Sequence, residues 1–467
     1  MSLTPHCAAL ALAALTVAVS AQAQPLSAET QRFRALYQEL IEINSSHSGG
    51  GTTKVAQAAR AHLLAAGFAP AEVEVLEPFP QKGNLLVRFK GTGAKRPLLL
   101  LAHIDVVEAK REDWKTDPFK LQEKDGVFTA RGAIDDKAMA ASYISALTQL
   151  KREGFVPNRD IILALTADEE LGDSGANGAA WLLKERRQDV DAEFGINEGG
   201  RGELRGGKPV THVMQVGEKT YLDYELEATG PGGHSARPTV DNTLYDLAEA
   251  LVRLRQYRFP VQLNDAVKTY FQRSAPQQQD AALKADFLAV ASGNPSSEVL
   301  ERLSNRAPII GLLRSTCVAT MAQAGHAPNA LPQSAKATVN CRALPDDDVN
   351  QITAKLKEIA GPKVQVKTLS HESSAPSSPL RPDLMQAVEH LTTEMWPGVP
   401  VIPTMGVSST DSRQFRAVGI PMYGVSGLFV DPEDTGVHGL NEHIGVQQLY
   451  DGREFMYRLI KALATNP

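Results

Sequence analysis

Four near-continuous apolar runs, NLLVRF, PLLLLAHI, IILALTA and FGIN, occur in the first half of the chain, with helical stretches between them. No other feature constrains the fold as strongly. A strand that is apolar at every position must be covered on both faces, so this alternation predicts an α/β fold with a mostly parallel, doubly covered sheet. Stretches at 29–43 and 53–66 ahead of the first run, and at 137–151 and 179–187 between later ones, carry helical periodicity; Gly67 stops the second. From Gly217 the pattern changes. LDYELEAT alternates as a half-buried strand does, a helix capped by Asp241 ends near Gln256, and the β-like runs LLRSTCVATM and KATVNCRAL flank AGHAPNALP. A helix over DDDVNQITAKLKEIA and a strand VQVKTL follow, which predicts a small α+β domain inserted in the first. The polar, largely helical 259–308 reads as an insertion within it, and SSAPSSPLRP leads back to the main domain. With 467 residues the chain is too long for a single core. The expected organisation is 1–23 signal segment, 24–216 first catalytic part, 217–370 inserted lid and dimerisation domain, and 371–467 second catalytic part.

An apolar stretch at 8–19 precedes Ser20-Ala21-Gln22-Ala23, an A-x-A pattern that predicts cleavage before Gln24 and export to the periplasm or the medium. The segment before it carries no Lys or Arg. Removal of Cys7 leaves Cys317 and Cys341, on two runs that would place them nearly opposite if paired. Either a cross-strand disulfide or two buried thiols satisfies that placement. A net charge of −6 and the lack of any basic stripe give no reason to expect nucleic acid or an anionic membrane as partner.

Chemistry-bearing residues fall at the ends of the apolar runs. His103 and Asp105 follow PLLLLA, Asp168, Glu169 and Glu170 follow IILALT, and Glu198 follows FGIN. Asp135 precedes a helix in ARGAIDDK, and His438 sits in GVHGLNEHI before the last helix. In an open parallel sheet ligands bind beyond the carboxyl ends of the strands, so these side chains are expected at one edge. Two imidazoles, several carboxylates and a spare Glu make metal-assisted hydrolysis the leading reading.

This ordered motif set, over essentially all of the mature chain, resembles the aminoacylase/carboxypeptidase family of co-catalytic dizinc exopeptidases. That family includes glutamate carboxypeptidase, succinyl-diaminopimelate desuccinylase and the carnosine dipeptidases. The NEGG sequence and the extended inserted domain are closest to its secreted or vacuolar carboxypeptidase-like branch. The resemblance implies two Zn²⁺ per subunit, with Mn²⁺ or Co²⁺ as substitutes. His103 would bind one metal and His438 the other, Asp135 would bridge them, and Glu170 would be a terminal ligand. Asp105 would orient His103, and Glu169 would be the general base. In the fourth motif, Glu-Pro relatives align Glu198 as ligand, whereas Asp-Glu-Gly relatives align Asn197; Glu198 is favoured as the better zinc donor. Asp136 is read as a backbone contact, His443 as a bystander, and His47, His62, His212 and His371 as surface or structural.

The segment GPGGHSARP resembles the family motif whose His reaches across a homodimer interface, making His234 a candidate oxyanion stabiliser. Asn329 and Arg342 match positions that bind substrate amide and carboxylate groups. Gly406 and the loop Ser409-Thr410-Asp411-Ser412-Arg413 match the late loop lining the pocket. The expected reaction is hydrolysis of a peptide or N-acyl amide bond next to a free carboxylate. N-acyl amino acid hydrolysis is the nearest alternative. A catalytically silent metal- or peptide-binding relative is the different class, and the intact Glu169 argues against it.

Overall fold

A computed structural model describes residues 26–171, 174–369, 375–407 and 409–465. The export segment and His371 lie outside the described residues.

The apolar runs build one ten-stranded sheet. Its order is Val73–Leu76, Asn84–Phe89, Ile161–Thr166, Leu98–His103, Phe194–Asn197, Met422–Gly424, Lys208–Glu218, Gly202–Arg205 and Phe429–Val430, with Val401–Gly406 beside Lys208–Glu218. The central strands Ile161–Thr166, Leu98–His103, Phe194–Asn197 and Met422–Gly424 are parallel. Antiparallel pairs occupy the margins, and Asn84–Phe89 itself runs antiparallel to Ile161–Thr166. Its sequence looks like that of a parallel strand because the covering of both faces, not strand direction, sets an apolar run. Ala28–Glu42, Thr53–Ala65, Lys137–Arg152, Pro382–Met395 and Val446–Thr465 pack with one face of the sheet in the main core. Gly178–Glu185 and Ser412–Ala417 lie with the other face.

Lys208–Glu218 runs directly into Thr220–Thr229 of a second, four-stranded antiparallel sheet. The joint is Lys219, whose ammonium is buried and donates to the Arg314 carbonyl at 2.9 Å. Strict alternation places Leu222, Tyr224, Leu226 and Ala228 against Ala335, Ala337, Val339 and Cys341 on the face covered by Thr243–Gln256 and Val349–Ala360. The N-cap of Thr243–Gln256 is Asn242, not Asp241: the Asn242 side chain accepts from Leu244 N, while Asp241 pairs with Lys363. Cys317 and Cys341 are directly opposite in register and joined as a disulfide. The polar stretch after Phe259 forms four short helices whose apolar side chains meet Leu344 and also Met405 of the large sheet. Among the described residues no helix is long and apolar enough to cross a membrane.

Candidate metal centre

His103 is the last residue of its strand, Glu198 directly follows Phe194–Asn197, and Asp168–Glu170 follow Ile161–Thr166. Parallel strands thus deliver three motifs to one edge. Asp135 arrives just ahead of helix Lys137–Arg152, and His438 comes from the turns before the strand His443–Gly445.

His103 Nε2 is 2.9 Å from Asp135 Oδ1 and 3.8 Å from Glu198 Oε1. His438 Nε2 is 3.1 Å from Asp135 Oδ2 and 2.8 Å from Glu170 Oε1. His103, Asp135 and Glu198 offer donor atoms within 4.8 Å of one another, and so do Asp135, Glu170 and His438. The two groups share Asp135, one oxygen facing each imidazole.

The charges say what such a cluster wants. Burial pulls the His103 imidazole down, but its hydrogen bonds to Asp105 and Asp135 outweigh that and hold it well above its ordinary range. Asp135 and Glu170 push His438 up to about 10. Burial, reinforced by neighbouring carboxylates, drives Glu169 and Glu198 well above the usual carboxylate range. Imidazole nitrogens and carboxylate oxygens without thiolate suit Zn²⁺, Mn²⁺ or Co²⁺, so the residues fit a pair of divalent cations.

A second layer fixes these side chains. Asp105 does more than face His103. Its backbone carbonyl is 3.1 Å from His103 Nδ1, its carboxylate is 3.6 Å from the same atom, and the carboxylate also accepts from Glu169 N and Glu170 N. Glu442, which the sequence reading passed over, is fully buried and accepts from Arg131 Nη1 and from the backbone N–H groups of Gly132, Ile134 and Asp135. Asp411 is also turned inward, accepting from Thr166 and Asn177. Glu442 lies within GVHGLNEHI, where nothing local separates a buried clamp from a solvated Glu. The Asn197 amide nitrogen donates to Ser412 Oγ, whereas Glu198 stands with His103 and Asp135. His443 turns to Asn441 O and Asp434, and His212 is buried between Thr392 and the Ser426 carbonyl.

A cleft of about 530 Å³ opens on this cluster, lined by Asp135, Glu169, Glu170, Glu198 and His438 and by Gly406, Ser409 and Thr410. Apolar side chains, among them Ile134, Met139, Leu428, Val430 and Val437, also line it, as do Asp136, Arg201, Gln215 and Ser426. Two glycines of NEGG are required by geometry: Gly199 has a φ of +105°, and a Cβ on Gly200 would meet the Gly424 carbonyl oxygen at 2.0 Å. Gly406 likewise leaves room for Gln215. His234, Asn329 and Arg342 do not line this cleft. His234 is exposed on a short ladder with Ala330, next to Asn329, whose carbonyl accepts from Ser235 N. Arg342 stacks on Tyr221 and donates to the carbonyl of Val407, a residue at the cleft rim.

Residues 99–462 match the model of peptidase family M20/M25/M40. The mouse N-fatty-acyl-amino acid synthase/hydrolase PM20D1 is 30% identical over 376 residues, which cover 78% of this chain and 74% of the relative. Probable carboxypeptidase S-like 2 of Dictyostelium discoideum is 27% identical over 401 residues, covering 81% and 75%. An M20 family metallo-carboxypeptidase from Sulfolobus solfataricus shares the fold with a TM-score of 0.68 at 18% identity, over 94% of this chain and 100% of that one. The strand-end cluster and the family match agree, and the chain belongs to peptidase family M20/M25/M40.

Proposed function

We propose that the chain is a dizinc amidohydrolase that cleaves a peptide or N-acyl amide bond next to a free carboxylate. The observation that carries this is the pair of three-residue ligand groups sharing Asp135, with Glu169 beside them in the cleft. His103, Asp135 and Glu198 would hold one cation and Asp135, Glu170 and His438 the other. Bound there, two divalent cations supply Lewis acidity to a carbonyl and lower the pKa of water. Glu169 takes the proton from the attacking water on a carboxylate oxygen and hands it to the leaving nitrogen. Asp105 keeps the Glu169–Glu170 backbone in place through its two accepted hydrogen bonds.

The apolar wall of the cleft favours a second reading, N-acyl amino acid hydrolysis with an apolar acyl group, the substrate type named for the mouse relative. The disulfide supports export to an oxidising compartment, with maturation before Gln24. Within one copy His234 is exposed and outside the cleft, which supports a homodimer in which it serves the carbonyl oxygen of the other copy. The inserted 217–370 unit would be the lid and dimerisation domain.

Amine release by the purified, zinc-loaded protein from dipeptides, their C-terminal amides and N-acyl amino acids tests this, with Glu169→Ala as blank. The substitution is expected to lower turnover by about 10²- to 10⁴-fold while zinc binding is kept. Release that does not depend on Glu169 would sink the assignment.

A further inference from the structure

We propose that Arg201 is the cleft's receptor for the substrate carboxylate and sets the preference for acids over amides. The proposal rests on the amidohydrolase reading above. Among the described residues lining the cleft, Arg201 is the only Lys or Arg. Beside the carboxylates of the metal centre, uncharged groups also line the cleft: Gln215, Ser426, Leu428 and Val430. Of the other arginines near the centre, Arg131 is paired with Glu442 and Arg416 with Glu218, while Arg342, outside the cleft, lies over Tyr221 and donates to the Val407 carbonyl. Among the described residues no side chain or carbonyl takes the Arg201 guanidinium. A carboxylate fits the planar fork of such a guanidinium with two hydrogen bonds.

The backbone holds this group in place. The Arg201 carbonyl accepts from Val213 N at 2.9 Å, and the residue enters the strand Gly202–Arg205 directly. Only Gly199 and Gly200 separate it from Glu198, so the two backbones stand no more than about 11 Å apart. Glu198, Gly199, Gly200 and Arg201 all line the cleft, so one continuous stretch of wall joins the metal centre to Arg201. One end of the substrate lies at the cations and its carboxylate at Arg201.

Steady-state kinetics on Ala-Leu and Ala-Leu-amide, and on N-acetyl-leucine and its amide, would compare wild type, Arg201→Gln, Arg201→Lys and Arg342→Gln. Arg201→Gln is expected to raise KM for the acids about 10- to 100-fold and leave kcat nearly unchanged, because the contact is made equally in ground and transition states. KM for the amides should not move, Arg201→Lys should recover part of the loss, and Arg342→Gln should keep the acid preference. An unchanged acid-to-amide ratio in Arg201→Gln, or loss of that ratio only in Arg342→Gln, overturns the proposal. Wild type that turns over neither series refutes the amidohydrolase reading instead. Calorimetric binding of N-acetyl-leucine against its amide to zinc-loaded Glu169→Ala then decides Arg201: a preference lost on adding Arg201→Gln supports it, and a preference kept, or no binding, overturns it.

Discussion

Glu442 shows how much a single buried carboxylate can organise. It gathers Arg131 and three consecutive-region amides into one knot, and the last of those amides belongs to Asp135. Removing it leaves the Arg131 guanidinium buried without its counter-charge, a loss of about 3–5 kcal/mol for such a pair. Glu442→Ala should therefore lower the urea midpoint of the metal-free protein, and competition titration should show zinc bound about 10- to 100-fold more weakly. Glu442→Gln, which keeps an acceptor oxygen, should lose less of both. The residues that meet around Asp135 were legible as a group because ligand types recur at strand ends in a fixed order. Glu442 was not, because its partners lie 307 to 311 positions away and its own neighbours are unremarkable. Arg201 escaped for a related reason: an arginine after two glycines looks like turn chemistry until the cleft is seen around it.

At the scale of elements, periodicity placed Ala28–Glu42, Thr53–Ala65, Lys137–Arg152 and Gly178–Glu185 to within a residue or two, and the alternating runs located the second sheet. Strand direction was not readable for Asn84–Phe89, because helices cover it on both sides as they would a parallel strand. The cap of Thr243–Gln256 was misplaced by one residue because Asp241 and Asn242 are both competent caps, and Lys363 decides between them by drawing Asp241 away. Cys317–Cys341 ties Thr316–Ala324, whose strand is exposed along most of its length and lies at the sheet edge, to its neighbour. The crosslink spans 24 positions. Replacing both cysteines by Ser should cost about 2–4 kcal/mol. Hydrogen exchange should quicken along Thr316–Ala324, while zinc affinity stays as in wild type because the centre sits in the other sheet.

For the whole molecule, His212 is an acid-sensitive point. It lies in the main core, with Trp396, Phe429 and Phe455 around its ring, and burial holds its pKa down to about 4. Unfolding returns the imidazole to about 6.5, so the unfolded chain binds the extra proton. Stability from this group is complete above pH ~6.5 and is lost as pH falls toward 4. Urea unfolding of the metal-free protein from pH 7.5 down to 4.5 should show that decline, and His212→Asn should flatten it. An unaltered slope in the variant would assign the acid sensitivity elsewhere.

His438 and its nearest carboxylate, Glu170, stand 268 positions apart in the chain, with the whole second sheet between them. On the proposed ligand assignment, a chain still on the ribosome can present His103, Asp135, Glu170 and Glu198, enough for one cation but not for the pair. Neither the second imidazole nor the Glu442 clamp exists until the final helix is about to be made. Catalytic competence thus arrives late and all at once, and a protease cut anywhere ahead of Val437 that released the tail would return the chain to silence.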